Sequence, residues 1–185
     1  KSDSEILLHL YLRQGLEATL PQLRGEFGFA LFDREEDCLY LVRDRFGIKP
    51  LYWTMTSEGL VFGSELKVLF AHPAVKREFS SEGLFHQLMQ TMVPGSTAFA
   101  GIFQVQPGHV VKVQRQGGLL RTSGHKYWDL DFPKAHERDP SISEEEHINA
   151  IRSSLLEAIE MRLVADVPVG CYLSGGIDSC SILGL

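Results

Sequence analysis

The sequence has few cysteines, no basic tract and no long apolar run, and each absence excludes a class of protein. The three cysteines in 185 residues are Cys38, Cys171 and Cys180, an odd number without Cys-x-x-Cys spacing. This pattern argues against a disulfide framework or a zinc site. A net charge of −6 argues against nucleic acid as a partner. No segment has the length of a membrane helix or the pattern of an export signal. A cytoplasmic soluble protein is therefore the default interpretation.

The pattern of apolar and turn residues along the chain changes once, which predicts two domains. A hydrophobic content of 44% can form a core. Residues 24–128 alternate between aromatic or β-branched runs and turn residues, which predicts three hairpins. Residues 129–141 contain two prolines and several charges but no apolar period, and are predicted to be a linker. We therefore expect an α+β domain at 1–128, followed by an α/β domain from 142 to 185.

Four helices are predicted from capping residues and apolar spacing. The first covers residues 5–12 and ends near Gly15, the second covers 65–70, and the third runs from Ser80 or Ser81 to Met92. The fourth begins at a capping box formed by Ser143 and Glu146. Its apolar stripe is expected to pack in a core and comprises Ile148, Ile151, Leu155, Ile159 and Leu163.

A pair of glycines follows an apolar segment near the end of the chain. Residues 169–173 are predicted to form a strand buried on both faces, and Ser174-Gly175-Gly176 ends it. Adjacent glycines let backbone N–H groups converge, and the start of the following helix favours an anion. The spacing differs from a Walker loop, and no lysine is present. Phosphate binding would then depend on N–H groups, hydroxyls and a metal ion, with Asp178 as a Mg²⁺ ligand. A tight turn with a helix cap is the alternative.

The longer string around these glycines resembles a known motif. Leu173 to Ser179 is similar to the Ser-Gly-Gly-x-Asp-Ser PP-loop of ATP pyrophosphatases, and residues 162–170 are similar to the segment that precedes this loop in asparagine synthetases. The resemblance implies that ATP and Mg²⁺ are cofactors and that Asp178 is the metal ligand. The residues that would bind ATP are Leu173, Ser174, Gly175, Gly176, Ile177, Asp178 and Ser179.

The first domain resembles the same family through its own segments. Residues 2–11, 23–33, 42–52, 64–69 and 106–109 are similar, in this order, to the glutaminase half of glutamine-hydrolysing asparagine synthetases. This resemblance implies a class II amidotransferase domain of the N-terminal-nucleophile type, in which two sheets lie between helices (αββα). We expect the chain to be an internal piece that lacks the start of this domain and contains only the beginning of an α/β PP-loop domain.

The resemblance also determines which catalytic and substrate-binding residues can be assigned. The family's nucleophile is an N-terminal cysteine, which is expected upstream of Lys1, so no catalytic residue is assigned in this chain. Asp3 matches the aspartate that pairs with the α-ammonium group of glutamine in the family, and a helix-capping role would be compatible. A separate basic segment, Arg43 to Pro50, suggests either a substrate patch or a structural ion-pair network, and we favour the structural role.

The implied reaction is the ATP-dependent synthesis of asparagine. Glutamine hydrolysis would release ammonia, aspartate would be activated as β-aspartyl-AMP, and AMP and pyrophosphate would be released. Glutamine, aspartate and ATP are the expected small-molecule partners, with no nucleic acid or membrane, and a homodimer is left open. The acceptor site is expected beyond Leu185, and the 185-residue piece is expected to be inactive. The alternatives are a relative that acts on another carboxylate, in β-lactam or peptide modification, and a catalytically dead binding module.

Overall fold

The computed structural model describes residues 2–91, 93–137 and 139–185, except for the side chain of Asp3. The chain divides into two compact units between Leu130 and Asp131. This division falls inside the segment that the sequence predicts to be a linker. No described helix combines the length and apolar character needed to cross a membrane.

The described residues of the first unit form three helices, seven strands and a 3₁₀ turn at Leu20–Gln22. Its helices are α1 (Asp3–Thr19), α2 (Leu66–Leu69) and α3 (Ser81–Leu88). Its strands are β1 (Gly28–Asp33), β2 (Cys38–Arg43), β3 (Tyr52–Thr56), β4 (Gly59–Gly63), β5 (Phe103–Gln104), β6 (His109–Gln116) and β7 (Leu119–Lys126).

The strands form two antiparallel sheets that contain the three predicted hairpins. The pairs β1–β2, β3–β4 and β6–β7 are present, and the first and last lie in one sheet of order β1-β2-β6-β7. The second sheet has the order β4-β3-β5. Strand β5 was missed from the sequence because only two of its residues pair, with Tyr52 and Trp53 of β3. A two-residue strand leaves no detectable alternation.

Three apolar clusters show that the sheets pack between helices. Along β2, Cys38, Tyr40 and Val42 face α1, whereas Leu39 and Leu41 face the second sheet. This is the period-two alternation of a strand covered on both sides. The third cluster packs α2 against β3 and β4. The first unit therefore has the expected αββα layers.

The ends of α1 and α3 follow local backbone chemistry. Gly15 has φ 78° and ψ 174°, which breaks α1 near the predicted end before the helix resumes as far as Thr19. Glycine adopts this left-handed φ without the steric cost of a Cβ. The Ser80 side chain accepts a hydrogen bond from the N–H of Gly83 and caps α3, as predicted. The helix ends at Leu88, and the predicted end at Met92 lies outside the described residues.

The second unit contains α4 (Glu144–Arg162), α5 (Ile177–Gly184) and a 3₁₀ turn at Ala135–Glu137. The Ser143–Glu146 capping box is present. The core-packing prediction for the α4 stripe was wrong, since no residue of α4 is buried and Ile148 and Ile151 remain more than half exposed. The spacing predicts a helix face, but burial also requires a sufficient opposing surface. The end of α5 shares a cavity with Ile148, Ile151 and Leu155 and leaves this face exposed.

The predicted strand at 169–173 was also wrong. These residues have no regular secondary structure, and Tyr172 is 99% exposed. A strand is defined by hydrogen bonds to a neighbouring strand, and none of the described residues of the second unit forms one. In the described part of the second unit, the expected start of an α/β domain is therefore represented by two helices and the loop between them.

Candidate functional site

The segment from Arg43 to Pro50 is held by buried hydrogen bonds to the backbone. The Arg43 guanidinium donates to the carbonyl oxygens of Lys49 (2.9 Å), Val105 (2.8 Å) and Gly47. Burial lowers the pKa of Arg43, while neighbouring Asp44 opposes the shift. Three backbone acceptors satisfy a cation that would otherwise be costly to bury. The structural role favoured from the sequence is therefore supported, although the partners are mainly backbone groups.

Asp44 is the buried carboxylate that organises the same loop. One oxygen, Oδ1, accepts from the N–H groups of Phe46 (3.2 Å) and Ile48 (3.0 Å). The other, Oδ2, accepts from those of Phe27 (3.3 Å) and Lys49 (2.9 Å). Asp44 is only 1% exposed. Its carboxylate therefore joins the segment before β1 to the loop before β3.

These two segments form the wall of a cavity beside the start of α1. The cavity has a volume of about 460 Å³, which is suitable for a small ligand. Its lining comes from the first turns of α1, the segment that leads into β1, the loop before β3 and the residue after β4. The lining residues are Ser4, Leu7, Leu23, Arg24, Gly25, Glu26, Phe27, Gly28, Phe29, Lys49, Pro50 and Ser64.

The cavity contains charges of both signs. Arg24, Glu26 and Lys49 line it, and Lys49 Nζ lies 3.2 Å from a carboxylate oxygen of Glu26. Sequence reasoning missed Glu26 as a site residue and assigned Lys49 to a structural segment. No spacing rule could connect them, because 23 positions separate them in the chain and only the packing of β1 beside the β3 loop brings them together.

Asp3, the predicted glutamine-binding residue, is the first residue of α1. Its side chain lies outside the described part of the structure. Ser4, the next residue, and Leu7, one turn further along the helix, both line the cavity. The backbone of Asp3 is therefore at the end of α1 that borders the cavity, and its role in binding glutamine stays a prediction.

The second predicted site is the loop before α5. Gly175 has φ +80°, and an added Cβ there would meet no heavy atom within 4 Å. Gly176 is the N-cap of α5 and provides no side-chain cap for the helix. The hydroxyl oxygens of Ser174 and Ser179 are 3.0 Å apart. An uncapped helix start with two hydroxyls and open space above a glycine fits a phosphate group.

The other predicted loop residues are exposed. Leu173 and Ile177 are 56% and 82% exposed, and Asp178 lies in the first turn of α5. No group of three or more His, Cys, Asp or Glu side chains suited to a metal ion occurs among the described residues. Asp178 contributes one carboxylate, so a Mg²⁺ ion bound there would need phosphate oxygens and water as its other ligands.

Comparisons with known proteins match both units. The family model described as "Glutamine amidotransferase domain" matches residues 1–128, and that described as "Asparagine synthase" matches residues 150–185. Amidase chry2 of Gibberella zeae is 40% identical over 184 residues, which cover 100% of this chain and 26% of the relative. Asparagine synthetase [glutamine-hydrolyzing] 3 of Bacillus subtilis is 33% identical over 186 residues, which cover 100% of this chain and 29% of that protein.

Among solved structures, an allosteric regulatory enzyme of purine biosynthesis matches this chain with a TM-score of 0.45 and 17% sequence identity. The match covers 98% of this chain and 35% of the chain of that enzyme. The chain spans about a quarter of the length of the curated relatives it matches. The two matched domains occur in the order that the sequence motifs predicted. The chain therefore belongs, over residues 1–128, to the glutamine amidotransferase domain family, and its residues 150–185 match the asparagine synthase family.

Proposed function

We propose that the whole protein forms an amide by transferring the amide nitrogen of glutamine to an ATP-activated carboxylate, and that the acceptor is aspartate. The observation that carries this proposal is the cavity with charges of both signs inside the glutamine amidotransferase domain. Free glutamine carries an ammonium and a carboxylate group on one carbon. Opposite charges next to each other are complementary to such a ligand.

The loop at 174–179 would hold the pyrophosphate part of ATP. Ser174, Gly175, Gly176 and Ser179 offer hydroxyls and N–H groups, Asp178 would bind Mg²⁺, and Leu173 and Ile177 would contact the nucleotide. ATP would supply the adenylyl group that activates the carboxylate, and Mg²⁺ would offset the charge of the phosphates. Donors at a helix start stabilise negative charge as it develops on a leaving pyrophosphate.

A second acceptor class is favoured by one comparison. A 40% identical relative is named an amidase, whereas the asparagine synthetase of Bacillus subtilis is 33% identical. The candidate alternative is the same glutamine-dependent chemistry with a carboxylate other than aspartate. Both candidates require AMP and pyrophosphate as products, so the acceptor is the point on which they differ.

The test uses the whole protein with ATP, Mg²⁺ and either glutamine or ammonia, with aspartate or a panel of other carboxylic acids as acceptor. Asparagine, AMP and pyrophosphate are the expected products with aspartate. Product from another acid, without asparagine, would favour the second candidate. Formation of ADP in place of AMP would contradict the role of the loop in either case.

A substitution tests the loop separately from the glutamine cavity. Asp178→Ala should lower ammonia-dependent synthesis at least about a hundredfold, because a metal ligand at a developing charge contributes several kcal/mol, while glutamine hydrolysis should continue. Asp131→Ala, which changes another exposed aspartate of the second unit, serves as the matched control and should retain both activities. Synthesis at the parental rate by the Asp178 variant would refute the metal-ligand role.

A further inference from the structure

A second cavity of the first unit lies between its two sheets and has a volume of about 430 Å³. This volume is within the range of small-molecule sites. Strands β3 and β5 form one wall, β6 and β7 form the other, and residues 94–96 complete the lining. None of the described residues that line it also lines the cavity beside α1. It is therefore a separate site, which the proposed function does not use.

One wall of the second cavity is an aromatic surface. Trp53 of β3 and Phe103 of β5 are cross-strand partners, so their rings lie on the same face of the sheet. The ring centroids are 4.9 Å apart. Trp53 packs against the apolar cluster between the sheets, while Phe103 stays 44% exposed. The two rings together offer a flat apolar surface to a ligand.

The opposite wall is open because it lacks a side chain. Gly124 of β7 pairs with Val111 of β6, and Val111 packs against the cluster between the sheets. Residues directly opposite each other share a face of the sheet, so Gly124 also faces the second sheet. A glycine at this position leaves the space in front of the aromatic surface free.

Two polar side chains of the lining can recognise the edge of a ring. The Gln106 amide makes no hydrogen bond within the described part of the chain. An added Cβ at Gly95 would lie 3.0 Å from the Gln106 amide nitrogen, so the glycine leaves room for this amide. His109 Nδ1 lies 2.7 Å from the Pro107 carbonyl oxygen, which can only accept. Nε2 of the neutral His109 ring is therefore an acceptor.

The absence of fixed charges limits the ligand. No Asp, Glu, Lys or Arg occurs among the described residues that line the second cavity. A charged group buried there would lose its hydration without gaining a counter-charge, so the part of the ligand in the cavity is uncharged. A flat ring with a donor beside an acceptor fits this chemistry. The adenine edge has that pattern and pairs with a glutamine amide through two hydrogen bonds, whereas guanine offers two acceptors and pairs with arginine or lysine.

We propose that the second cavity binds the adenine ring of a nucleoside or nucleotide. Trp53 and Phe103 provide the stacking surface, the Gln106 amide pairs with the adenine edge, and the sugar extends towards solvent. This site is distinct from the loop at 174–179, whose proposed role is to hold the phosphates of ATP. The inference does not depend on which carboxylate the whole protein amidates.

The first experiment titrates the whole protein with adenosine in a calorimeter. Adenosine has no phosphate group, so its binding does not depend on the loop at 174–179. Phe103→Leu should weaken this binding about ten- to hundredfold, the range expected when one base loses an aromatic stacking partner. The control is Phe32→Leu, which changes a strand phenylalanine that is 57% exposed and does not line this cavity. Parental affinity in the Phe103 variant, or an equal loss in both variants, would refute the stacking role.

The second experiment tests the pairing group with inosine, in which an oxygen replaces the amino group of adenosine. The parent should bind adenosine at least about tenfold more tightly than inosine, because the Gln106 amide can make both hydrogen bonds only with adenine. Gln106→Leu keeps a similar side-chain size and should reduce this ratio to within about threefold. Gln116→Leu changes an exposed glutamine of β6 and should keep the parental ratio. Equal binding of adenosine and inosine by the parent would overturn the assignment of adenine.

A comparison of adenosine with AMP identifies the source of the ring. Equal affinities would show that the nucleoside is sufficient, and tighter binding of AMP that Phe103→Leu still weakens would identify a nucleotide; both results support an adenine site. Failure of the parent to bind either compound would refute the inference. AMP binding that Asp178→Ala removes and Phe103→Leu leaves unchanged would place the nucleotide at the other loop alone, and would refute it equally.

Discussion

Replacement of Asp44 by Asn should strongly destabilise the first unit. Each carboxylate oxygen of Asp44 accepts two backbone N–H groups, and the residue is 1% exposed. An asparagine has one acceptor oxygen and one NH₂ group, so two of the four N–H groups would lose their acceptor and face another donor. A buried unsatisfied donor costs about 1–3 kcal/mol. Allowing for relaxation, we expect a loss of about 3 kcal/mol from a total of about 5–15 kcal/mol.

Tryptophan fluorescence measures this loss directly, because both tryptophans of the chain, Trp53 and Trp128, lie in the first unit. A urea titration of the 185-residue chain should show a lower midpoint with an unchanged slope. The control is Asp37→Asn, since Asp37 is exposed with φ 46° and asparagine tolerates this conformation. That control should stay within about 0.5 kcal/mol of the parent. An Asp44→Asn variant as stable as the control would refute the assigned role of the carboxylate.

Three further predictions concern pH and packing in the first unit. The Tyr11 hydroxyl donates a hydrogen bond to the Asp33 carboxylate and lowers the pKa of that carboxyl group. Its contribution to the free energy of unfolding is present above about pH 4, the pKa of an unfolded aspartate, and is lost as the pH falls through the folded-state pKa. Tyr11→Phe should reduce the loss of stability that the parent shows as the pH falls, followed by fluorescence. Coincident acid titration curves for the variant and the parent would contradict this role. Burial raises the pKa of the Tyr127 hydroxyl to about 12. The contribution of the neutral hydroxyl to the free energy of unfolding is therefore present below about pH 10 and is lost as the pH rises through about 12. Tyr127→Phe should remove this part of the loss of stability at high pH. An unchanged midpoint of alkaline unfolding would argue against the role of Tyr127. Gly83→Ala would place a Cβ 2.2 Å from the carbonyl oxygen of Thr97, so a loss of at least about 2 kcal/mol is expected in urea titrations, and parental stability would show that this contact relaxes freely.

The sequence was most informative where structure depends on local chemistry. The three hairpins and the Ser143–Glu146 capping box were predicted and are present. The predicted helix end near Gly15 is a break, after which α1 continues to Thr19. Each is determined by turn residues, a left-handed backbone or side chains within three positions of each other. Such features need no information about distant parts of the chain, and a single sequence contains enough to locate them.

The sequence was less informative where structure depends on a partner segment. The α4 stripe and the apolar run at 169–173 have patterns typical of buried elements, but both are exposed in the second unit. An apolar pattern shows which face of an element can be buried, and burial itself needs a second surface at the right place. Periodicity therefore identified an apolar face of α4 but predicted the wrong environment for it.

The candidate site combines both situations. Asp3 and the loop at 174–179 are predictions from contiguous motifs, whereas Glu26 and Lys49 meet only after β1 and the loop before β3 pack together. Asp44 explains why a segment that looked purely structural also shapes a cavity. Its carboxylate fills its hydrogen-bonding capacity with backbone N–H groups from both sides of the wall, so it is not available to a ligand. The charges on the cavity wall are those of the side chains that it holds in position, Glu26 and Lys49, and the stability of this wall should therefore follow Asp44.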